Sequence, residues 1–189
     1  MGPDDLKRLF GTLTPCRARA EPGMTPTVVF LLFLRPEAWR ILMIQKTDTA
    51  GYPWANQVAL PGGHVDAGDA GPLAAAWREL EEETGITASE VDVFGSLGHF
   101  PTIANKDIEV FAGFWRAPRP LRIATAEIAR VLELDLGATL AWHRDRGFSG
   151  RLPPLGELAY PVDDTRVWGA TARVLHCVCE HLGAHGAAI

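Results

Sequence analysis

The chain is poor in cysteine, has no long apolar run and carries no excess of basic residues, and each shortage removes a class of protein. Its 189 residues include three cysteines, Cys16, Cys177 and Cys179. An odd, sparse set makes no disulfide framework, and no Cys-x-x-Cys pair occurs. A reducing, cytoplasmic setting is expected. The longest apolar run, Val28 to Leu34, falls far short of the ~20 residues that span a bilayer. It also lies too deep in the chain for a signal peptide and has no small-residue cleavage pattern after it. A buried strand is the expected reading, with no membrane partner. The formal net charge of -5 argues against a stable nucleic-acid partner, because phosphate backbones attract basic faces. A small phosphate-bearing substrate is still allowed, since bound divalent cations can supply positive charge. Repeats and low-complexity tracts are also missing.

What is present suits one domain with a sizeable core. Residues 1–25 read as an N-terminal extension. A short helix is expected around Asp4 to Phe10, followed by a surface arm broken by Pro15, Pro22 and Pro26. Residues 26–185 read as the domain. Thr27 to Leu34 and Arg40 to Lys46 suggest a strand and its hairpin return. Gln57 to Leu60 reads as a short strand that Pro61-Gly62-Gly63 ends sharply. Gly71-Pro72 marks a helix start, with Pro72 in the first turn where its missing N–H costs nothing. That helix should run to about Thr84 and stop at Gly85. Strands are expected over Val91 to Phe100, over Asp107 to Arg116 and at the end of Glu127 to Leu134. Gly137 to Arg144 reads as a helix, Arg151 to Pro154 as a loop, and Thr165 to Leu182 as a helix by its apolar periodicity. The run His176-Cys177-Val178-Cys179-Glu180-His181 could be read as a metal cluster. The preferred reading is a C-terminal helix whose cysteines act as small apolar residues.

Chemistry concentrates between Gly62 and Ile86. Glu79, Glu82 and Glu83 are spaced i, i+3 and i+4, so a helix gathers them on one face. Leu73, Ala76, Trp77, Leu80 and Thr84 form a neighbouring, largely apolar arc that can anchor the helix to a sheet. Like charges at this spacing destabilise a helix, so the face needs solvent, Arg78 or a cation. Facing carboxylates suit a hard divalent ion, Mg²⁺ or Mn²⁺. A solvated acidic face is the plain alternative. Gly62-Gly63, on a strand-to-loop transition just before the helix, tips the balance, because glycines let backbone approach a ligand closely.

The same segment resembles the Nudix box: Gly, five residues, Glu, seven residues, then Arg-Glu-apolar-x-Glu-Glu-x-Gly-apolar. Arg78, Glu79, Leu80, Glu82, Glu83, Gly85 and Ile86 match every fixed position of the second half, and Gly63 supplies the leading glycine. The first half departs: Asp69 stands where the pattern has Glu, and eight residues precede Arg78. That variant is similar to the coenzyme A diphosphatase-like branch. So are the stretches Gln57 to Gly63 and Trp168-Gly169-Ala170-Thr171-Ala172. The Arg and His of that branch's upstream signature are replaced by Tyr52 and Trp54, and its Gly by Asn56, which leaves the substrate open.

The resemblance implies an α+β fold, an α/β/α sandwich with a central mixed sheet. It implies metal-dependent hydrolysis of a diphosphate linkage in a small nucleoside diphosphate derivative, coenzyme A or an acyl-coenzyme A among them. A nucleotide-sugar or nucleoside triphosphate diphosphatase, or a catalytically silent ligand-binding module, are the alternatives. A homodimer is a possible assembly. By resemblance Glu79, Glu82 and Glu83 bind the metal, the Gly62 carbonyl adds an oxygen, and Glu79 or Glu83 doubles as base. Arg78 orients a box glutamate. Glu127 is the best candidate for a further acid, with Asp107 and Glu109 weaker. Tyr52, Trp54, Phe100 and Trp168 are candidate pocket aromatics. His64, His99, Lys106, Arg40, Lys46 and Arg116 are candidate phosphate contacts.

Overall fold

The computed structural model describes residues 1–15, 20–51 and 54–186. Cys16 and Tyr52 lie outside them. The apolar run becomes β1 (Thr25–Leu34), which is buried on both faces. Phe30, Leu32 and Leu34 enter one core; Leu31 and Phe33 enter the other. Alternate side chains of a strand point to opposite faces, so an unbroken apolar run marks a strand covered on both sides. β1 pairs in parallel with β6 (Lys106–Trp115), and antiparallel with β2 (Arg40–Lys46) and β4 (Gly62–His64). β2 carries β3 (Val58–Ala59) and β7 (Ile128–Asp135), and β6 carries β5 (Val91–Pro101), which completes a mixed sheet.

Helix α2 (Pro72–Thr84) covers one face, burying Ala75, Ala76 and Leu80 against Phe30 and Leu32. Trp77 leans on Phe30 with ring centroids 4.7 Å apart. The other face carries α1 (Pro3–Gly11), α3 (Leu136–Asp145) and α4 (Gly169–Ala184). The expected sandwich with a mixed sheet is therefore the observed fold. The helix of the N-terminal extension is docked: Leu6 and Phe10 are buried in the larger core. No helix among the described residues is long and apolar enough to cross a membrane.

Two local expectations need correction. Residues Thr165–Trp168 form a strand, β9, paired with β8 (Ala159–Val162), and the helix begins only at Gly169. The apolar spacing of the helix continues back through β9, one strand of a short hairpin. Pro61-Gly62-Gly63 does end β3, as expected, but Gly62-Gly63 open a new strand where a loop was expected. After β3 the chain crosses to β1 and pairs again, with Gly62 opposite Val29. A Cβ at Gly62 would lie 2.1 Å from the Val28 carbonyl oxygen, and the residue has φ 151°. Only glycine can lie this close to β1 in that conformation. Gly62→Ala should cost roughly 3 kcal/mol or more. Urea unfolding checks this, and an unchanged midpoint would contradict the β1–β4 contact.

Candidate active site

The acidic helix stops where its sequence demands. Gly85 takes the left-handed conformation, and its N–H bonds to the Glu81 carbonyl at 2.8 Å. With Leu80 and Thr84 fixed in the core, the opposite face turns Glu79, Glu82 and Glu83 towards one cavity of about 890 Å³. β4 passes close by. A Cβ on Gly63 would fall 2.3 Å from a Glu79 carboxylate oxygen, so glycine there gives the carboxylate its place.

The three acids sit in different surroundings. Glu83 is 3% exposed. One of its oxygens lies 2.5 Å from Lys46 Nζ, and the other accepts the Gly62 N–H at 2.9 Å. Burial pushes its carboxyl above the usual range, against the opposing pull of Lys46 and the Gly62 N–H. Glu79 accepts from Arg78 Nη1 through Oε1 at 3.0 Å. Glu82, with its side chain 60% exposed, accepts from the same nitrogen at 3.1 Å. Arg78 also grips Asp69 through two nitrogens, at 3.1 and 3.2 Å, and donates to the His64 carbonyl at 3.0 Å. Its guanidinium pKa is raised, chiefly by the Asp69 pair, and Asp69 is correspondingly held below the usual carboxylate range. One planar fork thus ties the loop before the helix to two acids on it.

Among the other candidates, Glu127 lines the cavity, with Oε2 3.9 Å from Lys46 Nζ. Lys46, at the end of β2, and Lys106, at the start of β6, are the suggested lysines and both line the cavity. Arg40 pairs with Asp135, and Arg116 with Asp92 and the Ser89 carbonyl, both outside it. Asp107 and Glu109 do not line the cavity; Asp107 is buried and pairs with His99 at 2.7 Å. His64 lines the cavity and His99 does not. Of the aromatics, Trp54 and Trp168 line it, whereas Phe100 is 6% exposed and belongs to the core. Lys106 Nζ lies 4.2 Å from the Trp54 ring centroid, a cation–π contact.

Ile103, Leu155 and Arg173 also line the cavity, and the sequence reading missed them. Ile103 did leave a signal, a lone large apolar residue in the polar turn Thr102 to Lys106. The donor set suits a hard divalent cation: three carboxylates of one helix line the same cavity, and among the described residues no thiol lines it.

The NUDIX domain family model matches residues 24–148, about two-thirds of the chain. The chain belongs to the Nudix family. It is similar to the Nudix hydrolase NudL of Escherichia coli K12, described as uncharacterized, at 36% identity over 165 residues, covering 87% of this chain and 81% of that protein. Among solved structures it resembles the NUDIX domain of Shewanella oneidensis NrtR complexed with ADP ribose (TM-score 0.56, 16% identity, covering 86% of this chain and 90% of that one). It also resembles DR0079 of Deinococcus radiodurans (TM-score 0.53, 15% identity, 83% and 86%). At such identities these structures speak for the fold alone. With the family and the relative's name together, this chain is a Nudix hydrolase, an enzyme of a family that generally uses divalent metal cations.

Proposed function

We propose that this Nudix hydrolase cleaves the diphosphate linkage of a nucleoside diphosphate whose other limb is long and partly apolar, with coenzyme A or an acyl-coenzyme A as the best-fitting substrate. The carrying observation is the composition of the cavity. Box acids form one side; Lys46, Lys106 and Arg173 add positive charge; Trp54, Ile103, Leu155 and Trp168 supply apolar surface. Ile103 is 96% exposed, Leu155 40% and Trp168 48%. Scattered exposed apolar residues mean little, but three around one cavity mark a binding rim. The likeness to the coenzyme A diphosphatase-like branch supports the same substrate, although Trp54 and Asn56 depart from it.

Glu79, Glu82 and Glu83 would hold Mg²⁺ or Mn²⁺, with the Gly62 carbonyl and Glu127 as further oxygen donors. Gly62 donates its N–H to Glu83 at 2.9 Å, which sets its backbone beside the acids. When bound, the cation neutralises the diphosphate and lowers the pKa of the attacking water. Of the two acids that could take that water's proton, Glu83 has both oxygens committed, to Lys46 and to Gly62. Glu79 has only Oε1 held by Arg78. Glu79 Oε2 is therefore the proposed proton acceptor. Arg78 keeps Glu79 and Glu82 in place, and Lys46 is close enough to the acids to meet a phosphate oxygen.

A substrate panel tests this reading. With metal present, coenzyme A and acyl-coenzyme A should show higher kcat/KM than ADP-ribose, dinucleoside polyphosphates, NADH or nucleoside triphosphates. Trp168→Ala should raise KM for acyl-coenzyme A by about tenfold while leaving ADP-ribose nearly unaffected, since burying an aromatic side chain is worth 1–3 kcal/mol. Preference for ADP-ribose, together with an indifferent Trp168→Ala variant, would overturn the substrate assignment but not the catalytic helix.

A further inference from the structure

A second cluster of ligating groups lies on the opposite face of the sheet from α2. His143 on α3, and His176 and Glu180 one turn apart on α4, each place a ligand atom within 4.8 Å of the others. None of the three lines the diphosphate cavity. His143 is 2% exposed and His176 7%. Glu180 closes the cluster from outside, with its side chain one-third exposed, and gives an ion a path in.

The hydrogen bonds around the cluster hold its members in ligand-like poses. His143 Nε2 lies 2.8 Å from Glu180 Oε1, and its Nδ1 lies 2.9 Å from the Tyr160 hydroxyl. Glu180 Oε2 accepts the Gly150 N–H at 2.8 Å. His176 Nε2 donates to the Arg151 carbonyl at 2.9 Å. A carbonyl can only accept, so the proton of His176 is on Nε2 and its Nδ1 keeps a lone pair. A backbone carbonyl on one ring nitrogen is the usual support of a metal-binding imidazole. Tyr160 can serve His143 in either tautomer, because its hydroxyl both donates and accepts. With the proton on Nδ1, the Nε2 lone pair faces the Glu180 carboxylate, an arrangement that a cation between them stabilises.

We propose that His143, His176 and Glu180 form a structural site for a divalent transition ion of the zinc type, which fastens α4 to α3. Two imidazoles and a carboxylate are borderline donors that favour such an ion over Mg²⁺. A neutral His143 would bind with its one proton on Nδ1, donated to the Tyr160 hydroxyl, leaving Nε2 and the Glu180 carboxylate to hold the ion, and water would complete its coordination. Tetrahedral zinc needs its ligand atoms about 3.4 Å apart. The His143–Glu180 pair is already within that distance, and the His176 ligand atom, within 4.8 Å of both, closes in to complete the set. The consequence reaches the active site, because the first turns of α4 carry Gly169, Ala170, Thr171 and Arg173 into the cavity wall.

Zinc titration of the chelator-stripped full chain, in excess Mg²⁺ to fill the carboxylate site, tests the proposal. Wild type should take up one zinc per chain, with X-ray absorption showing imidazole nitrogens in the coordination shell. A Glu79→Gln/Glu82→Gln variant should bind zinc equally well. His176→Gln and Glu180→Gln should each weaken zinc at least tenfold. Gln at 180 retains an acceptor for the Gly150 N–H, so this variant should keep its far-UV circular dichroism even if His176→Gln does not fold. No zinc uptake would overturn the site. So would uptake that is lost with Glu79 and Glu82 but kept in Glu180→Gln.

Discussion

Glu82→Gln is expected to lower kcat by about 10²–10³-fold, the loss typical of removing one preorganised electrostatic group from a catalytic site. The substitution keeps the shape of the side chain and removes its charge. Glu82 is more than half exposed and is held by a hydrogen bond from Arg78, so the fold should be nearly indifferent. Exposed substitutions of this kind change stability by roughly 0.5 kcal/mol or less. The pairing of a large rate loss with an unchanged urea midpoint separates a metal-binding acid from a solvated helix face. Steady-state kinetics at saturating metal measure the first, and denaturation measures the second. Wild-type turnover in Glu82→Gln would mean that the chemistry sits elsewhere.

Arg78→Lys should lose about 10–100-fold in kcat, the usual cost of disturbing a group that orients metal ligands. Lysine keeps the charge but not the fork. The guanidinium reaches Asp69, Glu79, Glu82 and the His64 carbonyl together. A single ammonium cannot span them. Unlike Glu82→Gln, this variant should also lower Tm, because Asp69 loses its bidentate partner and the loop from Asp66 to Gly71 loses its tie to α2. Added metal at high concentration should restore part of the rate if the defect lies in holding Glu79 and Glu82. Full activity in Arg78→Lys would show that the helix alone places the acids.

The parts legible in the sequence were those written as local patterns. The α2 boundaries followed from Pro72 and Gly85, and the central strand from an apolar run buried on both faces. The box acids were legible because helical spacing converts sequence distance directly into facing side chains. The β8–β9 hairpin was not, since Thr165–Trp168 has the same apolar spacing as the helix it precedes. Pairing of Gly62–His64 with β1 was hidden as well, because two glycines read as a break while the geometry uses them for close approach. Contacts between distant segments left the weakest trace. Lys46 could not be placed at Glu83, 37 residues away, nor Ile103, Leu155 and Arg173 around one cavity. The meeting of His143 with His176 and Glu180 depends on how α3 and α4 pack, which no short motif encodes.

The most direct measurement is the anomalous difference map of a crystal soaked in Mn²⁺ with a non-hydrolysable nucleoside diphosphate derivative. A peak should appear within about 2–2.3 Å of carboxylate oxygens from the acidic helix, the distance expected for a hard cation with oxygen ligands, with the diphosphate on its far side. Density for the nucleotide with no manganese at Glu79, Glu82 and Glu83, and those side chains turned to solvent, would contradict the account.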